Sequence, residues 1–394
     1  MRLSTIFTTF AVLLATPVLS APGASLKSVE RYAGPTSGKH IVKLKDGVSR
    51  NQWMRKLKLP SDTVELNLIN GFSGTLNDET LAALQASEDV EFISEDGIVQ
   101  MHSPVTQNDA SWGLQRISQE QALDDTDFLK LDFKYTYESS AAGSGVDIYL
   151  TDTGILTTHT DFGGRARWGG SFGVGGDRDG HGHGTHCAGI AAGARWGVAK
   201  NASLIAVRVL SNSGQGPVSG IVAGLDWIRS QAAASGRPSV VSMSLGGSVS
   251  QALDDAVTRL TDAGIHVTVS AGNDNKDAFN VSPARVPSAI TVGAANIFDA
   301  KAAFSNFGPV VTVYAPGQNV TSAWIGADNA SSNRVSGTSM AAPHIAGLVA
   351  YLISKDGNIS PAQMQAKIQN LAVKGAISGL PSGTANNLAQ IGPL

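Results

Sequence analysis

The chain of 394 residues has a single cysteine, Cys187, so no disulfide can close within it. At this length a hydrophobic core can hold the fold without one. Charge is scarce too: 15% Asp, Glu, Lys and Arg, with a net charge of −3. This balance implies no strong polyanion partner, and no nucleic acid is expected as one. Beyond the first 20 residues, no apolar run is long enough to cross a bilayer. There are no coiled-coil heptads and no repeat at a solenoid period. No Cys/His pairs stand at finger spacing, and there is no His-Glu-x-x-His. What remains is 42% hydrophobic with 44 glycines, the composition of a compact, turn-rich globular protein.

Residues 1–20 read as a secretory signal, with Arg2 as the positive start, an apolar stretch over 6–14 and small residues before Ala21. Five N-x-[ST] sequons, at Asn201, Asn280, Asn319, Asn329 and Asn358, suit a secreted route. A small-residue linker, 21–38, follows. The order strand (40–45), helix (50–59), strands (63–68 and 71–76), helix (81–86) and strand (89–94) predicts a ferredoxin-like α+β module over about 39–100. Asn77 is placed to cap its second helix. The polar segment 100–109 reads as an exposed linker open to cleavage.

From Trp112 onward, strands at 147–150, 204–209, 239–244, 265–270 and 290–292 alternate with helices at 221–234 and 252–263. That alternation predicts an α/β fold, a doubly wound and mostly parallel sheet with helices on both faces. Ligands of such sheets gather at the carboxyl ends of the strands. Asp152, Ser244 and Asn273 stand at three of those ends, among small neighbours. Each of them alone is most simply a turn former.

Two further stretches carry chemistry. Residues 179–189 hold His181, His183, His186 and Cys187 within a short span. They suit either a His/Cys metal site or a histidine general base, and spacing does not say which histidine would act. Ser339 opens a long apolar run, 340–351, that reads as a buried helix. A serine there is an ordinary cap, or a nucleophile set where free N–H groups and the positive dipole end stabilise an oxyanion. A decoy, Gly169-Gly170-Ser171-Phe172-Gly173, fits a nucleophile-elbow pattern but follows a charged stretch and not a buried strand.

Together, Asp152-Thr153-Gly154, His183-Gly184-Thr185-His186-Cys187, Ser244-Leu245-Gly246-Gly247 and Gly337-Thr338-Ser339-Met340-Ala341 resemble the motifs of the subtilisin-like serine proteases, in that family's order. Cys187 and Trp112-Gly113-Leu114 resemble its fungal proteinase K branch. The resemblance runs from about Trp112 to Leu388. It implies a subtilisin-like domain at 105–394, preceded by a propeptide at 21–104 that inhibits and assists folding, with self-cleavage near 102–106. It makes Ser339 the nucleophile, His183 the base, Asp152 its partner and Asn273 an oxyanion donor. It makes Ser244, Leu245 and Gly246 one substrate-pairing strip and Gly214, Gln215 and Gly216 the other. Cys187 reads as a packing residue.

The resulting expectation is a secreted, monomeric serine endopeptidase of broad specificity, made as a zymogen, acting on proteins or peptides and needing no cofactor for catalysis. Its activity should fall somewhat below neutral pH as His183 protonates. Two readings compete with it: a catalytically silent binding protein on the same fold, and a metal-dependent hydrolase using His181, His183 and His186. The sequence departs from the family twice. Thr312 stands where relatives carry a calcium-binding carboxylate, which leaves only the carbonyls of Pro287 and Ala289, a weak set. Val218 replaces a tyrosine common in close relatives, which alters the outer substrate pocket.

Overall fold

The structure, a computed structural model, describes residues 26–32, 35–61, 63–99 and 104–394. The signal expected over 1–20 lies outside them. The chain divides into two compact units, Met1–Met101 and His102–Leu394.

In the amino-terminal unit, β1 (Val29–Glu30), β2 (Thr36–Leu44), β3 (Val64–Leu66), β4 (Gly71–Gly74) and β5 (Val90–Gly97) form one sheet in the order β1-β5-β2-β4-β3. Helices α1 (Arg50–Leu57) and α2 (Asp78–Gln85) complete the expected β-α-β-β-α-β order, with β1 added beside β5. Val42, Leu44, Trp53, Phe72, Leu84, Val90 and Ile93 fill its core. Asn77 caps α2 by accepting the Thr80 N–H at 2.8 Å. The strand expected over 63–68 stops early. A short 3-10 turn, Asn67–Ile69, leads into Asn70 in the left-handed region (φ 44), which reverses the chain. Gly71 then pairs so closely with β2 that a β-carbon would lie 2.3 Å from the Val42 carbonyl oxygen.

The carboxy-terminal unit begins with a correction. Residues from Pro104 are not loose linker: β6 (Pro104–Ala110) pairs antiparallel with β7 (Phe133–Glu138), and α3 (Trp112–Ile117) lies between them. The Thr106 and Thr136 hydroxyls share a hydrogen bond across the pair, at 3.0 Å. Most of β6 is exposed, so it carries no apolar alternation to announce it.

The main sheet contains β8 (Asp147–Asp152), β9 (Ala166–Ser171), β10 (Ser203–Arg208), β11 (Ser239–Met243), β12 (His266–Ser270), β13 (Ile290–Ala295) and β14 (Val313–Pro316). They run parallel in the order β14-β13-β12-β11-β8-β10-β9. A small hairpin, β15 (Val320–Ala323) with β16 (Ser332–Val335), lies apart, and β17 (Val373–Lys374) and β18 (Asn387–Leu388) extend the β14 edge. Helices α4 (His183–Ala192), α5 (Val218–Ser235), α6 (Gln251–Asp262), α7 (Thr338–Asp356) and α8 (Pro361–Leu371) cover the sheet.

Side-chain alternation along the central strands separates two cores. Ile148, Leu150, Leu204, Ala206 and Val240 pack with α4, α7 and α8. Tyr149, Ile205, Val207, Val241 and Met243 face the other way, onto Ile221, Leu225 and Ile228 of α5 and Leu253, Val257 and Leu260 of α6. After β8 the chain builds β9 and β10 on one flank, then β11 to β14 on the other. That reversal places a crevice at the carboxyl ends of β8 and β11.

The dismissal of the decoy stands. Residues 166–171 are a real strand, β9, at the sheet edge, half-buried rather than buried. Its Ser171 hydroxyl is occupied, its one proton shared between the Gly176 carbonyl at 2.8 Å and Asp177 Oδ1 at 2.9 Å.

Candidate active site

A cleft of about 1090 Å³ opens at that crevice, lined by Thr153, His181, His183, Ser244, Asn273 and Ser339 among others. Five elements supply these side chains.

Asp152 is the last residue of β8 and is buried. Its Oδ1 accepts the Thr153 N–H at 2.7 Å. Its carbonyl accepts the N–H groups of Val209 and Leu210 beyond β10, at 2.9 and 3.1 Å. The strand end is therefore rigid where the carboxylate leaves it. His183 opens α4, after Gly182 turns through φ 99. That turn favours glycine, and a β-carbon at Gly182 would also strike the Trp324 ring at 2.5 Å. His183 Nδ1 meets both Asp152 oxygens, at 2.7 and 2.9 Å. Burial disfavours the imidazolium, yet the charge of Asp152 and its hydrogen bond outweigh that and hold His183 well above the ordinary imidazole pKa. With Nδ1 spent on the carboxylate, Nε2 is the ring nitrogen left for other chemistry.

Ser339 is the second residue of α7, whose cap is Gly337, so it is not itself the cap. Its hydroxyl donates to the Ser244 carbonyl at 3.3 Å. Its own carbonyl is tied from outside the helix, by the Ser244 hydroxyl at 2.8 Å and by Cys187 Sγ at 3.3 Å. Pro343, inside the same helix, explains why that carbonyl is free: proline has no N–H to offer its i−4 partner.

Asn273 follows β12 and is exposed. Its Oδ1 accepts the Thr338 N–H at 2.8 Å and the Thr338 hydroxyl at 2.9 Å, and that hydroxyl accepts the Gly272 N–H at 3.1 Å. Two donors on the oxygen fix the amide, so Nδ2 points the other way. Nδ2 and the Ser339 backbone nitrogen lie 3.6 and 3.5 Å from the point where Gly337 would carry a β-carbon.

Both glycine-rich strips line the cleft. Ser244, Leu245 and Gly246 continue β11 into the cleft, and beyond them Gly247 bridges to Ser282. Gly214, Gln215 and Gly216 form a turn closed by the Ser211 N–H on the Gln215 carbonyl, at 2.8 Å. Gly216 is pressed against β10's end, where a β-carbon would lie 1.9 Å from the Val209 oxygen. Leu210, Val218, Ile221, Leu245 and Leu253 add apolar lining to the same cleft.

The three histidines do not converge. His181 stands edge-on to His183, with ring centroids 6.1 Å apart. His186 is buried and turns away, toward the carbonyls of Val320 and Asn333 at 3.1 Å. Among the described residues, the side chains gathered within metal-ligand range are Asp152, His183 and Cys187. Cys187 is buried one turn below His183, its thiol pushed up by burial, which is the state of a packing residue. Sequence reasoning missed Thr338, whose backbone and hydroxyl orient Asn273. Its only signal was its place between Gly337 and Ser339.

Comparison with known proteins agrees with this geometry. Residues 143–389 match the peptidase S8 subtilase family, and residues 64–102 match peptidase inhibitor I9. The chain is 46% identical to the alkaline serine protease ver112 of Corniculantispora psalliotae, over 99% of both chains. It is 43% identical to a cuticle-degrading protease of Metarhizium anisopliae, over 90% of this chain and 89% of that one. A solved cold-adapted subtilisin-like serine proteinase is similar to 73% of this chain and all of its own, at 39% identity and a TM-score of 0.65.

Proposed function

The chain belongs to the subtilase family, a serine endopeptidase preceded by an inhibitory I9 propeptide, and from that premise we propose how its cleft works. Ser339 Oγ attacks the substrate carbonyl. His183 takes its proton through Nε2 and returns it to the leaving amine. Asp152 holds the tautomer and stabilises the imidazolium. Asn273 Nδ2 and the Ser339 N–H receive the oxyanion. The observation that carries this reading is the paired contact of His183 Nδ1 with Asp152, at 2.7 and 2.9 Å, in the cleft that Ser339 and Asn273 also line.

An extended peptide would lie between the two strips as an added strand, its main chain paired and alternate side chains read by pockets. The apolar lining at Leu210, Val218 and Ile221 suits apolar side chains upstream of the cut. Val218, exposed and small, leaves that lining open, which favours broad specificity.

Catalysis in this family needs no cofactor. The residues at the family's calcium position do not fit the ion. Thr312 Oγ1 accepts the Thr291 N–H at 3.2 Å and the Gln365 amide at 3.4 Å. Hydrogen-bond donors aimed at an uncharged hydroxyl are the wrong set for a hard cation. Secretion is proposed from the leader-like residues 1–20 and the five sequons. A monomer is proposed from the absence of any apolar stripe in the sequence.

The test is Ser339→Ala in the full-length chain, followed by chain size and peptide turnover against the parent. The proposal expects an unprocessed chain and a loss of turnover of several orders of magnitude. Normal maturation with normal turnover removes Ser339 from the mechanism.

A further inference from the structure

The loop that leads into α4 turns around one carboxylate that the mechanism does not use. Asp179 is buried, with 7% of its surface exposed. Its Oδ1 accepts the Thr153 hydroxyl at 2.9 Å, the His181 N–H at 3.0 Å and the Gly182 N–H at 2.8 Å. Its Oδ2 accepts the Thr185 N–H at 3.0 Å and the Thr185 hydroxyl at 2.6 Å. All five partners are donors, and none is a cation. The Thr153 hydroxyl in turn accepts the Gly184 N–H at 3.0 Å.

These bonds join two places. Thr153 follows Asp152 at the end of β8. Gly182, Gly184 and Thr185 surround His183 at the start of α4. The Asp152–His183 contact is thus bracketed by bonds that run through Asp179. We propose that Asp179 is a positioning residue: it locks the first turn of α4 onto the end of β8 and so sets the Asp152–His183 distance. This rests on the reading of Asp152 and His183 given above.

The chemistry calls for a carboxylate. Both oxygens face only donors, so they must be pure acceptors. An asparagine would turn its NH2 group onto N–H donors and leave buried groups unpaired. An anion also suits the positive end of α4. Misplacing a catalytic group by even about 1 Å costs as much as about 100-fold in rate.

The experiment starts from the full chain, in four variants: three are assayed as the mature enzyme, and His183→Ala, which the mechanism leaves unprocessed, is assayed as the full chain. Asp179→Asn removes the all-acceptor hub. Thr153→Val removes only the hydroxyl that relays it to α4, at nearly the same volume and with no change of charge. His183→Ala reports on the underlying mechanism. Asp179→Asn and Thr153→Val are expected to lower kcat by about 10- to 100-fold with KM within about twofold. Both should move the acid limb of the pH profile to lower pH, because His183 is held high by Asp152 and loosening that contact lets it fall. Thr153→Ser is expected to recover most of the loss.

If Asp179→Asn only lowers the melting temperature, or raises KM with kcat intact, the proposal is wrong. Should Asp179→Asn fail to fold, Thr153→Val decides: an unmoved limb with parental kcat overturns the inference. If His183→Ala stays active, the mechanism itself fails. If His183→Ala is inactive while the other two behave as the parent, only the role of Asp179 fails.

Discussion

The point where Gly337 would carry a β-carbon lies 3.6 Å from Asn273 Nδ2 and 3.5 Å from the Ser339 backbone nitrogen. A methyl group there would sit beside both donors proposed for the oxyanion, yet it would meet neighbours only at ordinary contact distance. The backbone at Gly337 is extended (φ 162), a conformation open to any residue. Gly337→Ala should therefore fold and melt like its parent while kcat drops by at least about 10-fold. An alanine variant with parental kcat would move the oxyanion elsewhere.

Asn273 is expected to matter through kcat rather than KM, because its amide acts on charge that exists only in the transition state. Loss of one such donor in another member of this family costs about 10²–10³-fold, a family value that sets the scale. Asn273→Leu also strips the acceptor from Thr338 N–H, so its loss should reach the upper part of that range. Steady-state kinetics on a peptide substrate provide the check. An effect confined to KM would make Asn273 a binding residue.

The pH–rate profile should lie further to the alkaline side than an ordinary imidazole would give. The base works only when neutral, and Asp152 raises the pKa of His183 well above its usual value. The acid limb of kcat/KM should therefore lie to the alkaline side of an ordinary imidazole's, with activity climbing as pH rises through it. A midpoint at or below about pH 6 would mean that the carboxylate does not govern His183 in solution.

Stability should decline in acid for a separate reason. His344 is buried in α7, with Nδ1 on the Met340 carbonyl at 2.8 Å, and burial lowers its pKa to about 4. Burial and the neighbouring His183 lower that of His186 to about 3. Unfolding frees both rings to take a proton at their ordinary value, near 6.5. Below that pH the unfolded chain binds more protons, so folding weakens as pH falls from about 6.5 toward 4, by roughly 1.4 kcal/mol per group per pH unit. Urea unfolding of the inactive Ser339→Ala chain across that window avoids self-digestion. His344→Asn should flatten the slope, and an unchanged slope would show that His344 is not charged on unfolding.

The parallel core strands were legible because their apolar runs are bounded by glycine and polar turns. Ser203–Arg208, Ser239–Met243 and His266–Ser270 each fall within a residue or two of their expected ends. β6 was not, because an exposed, polar strand has no buried face to leave a pattern. The residues of the cleft were visible as motifs. Their orientation was not, since it depends on bonds between distant segments: Thr338 on Asn273, Ser244 on Ser339 and Asp179 on Thr153. Nor could spacing separate His183 from His186, which share a helix; only the position of the Asp152 carboxylate and the carbonyls of Val320 and Asn333 does so.

The carbonyl released by Pro343 gives the site a property in time as well as in space. Ser339 is gripped by Ser244 just beyond β11 and by Cys187 from α4, and Asn273 is aimed only once Thr338 is present. A chain still emerging from the ribosome lacks the last of these parts until nearly all of it has been made. A half-made copy is thus blunt until α7 has been made and has docked.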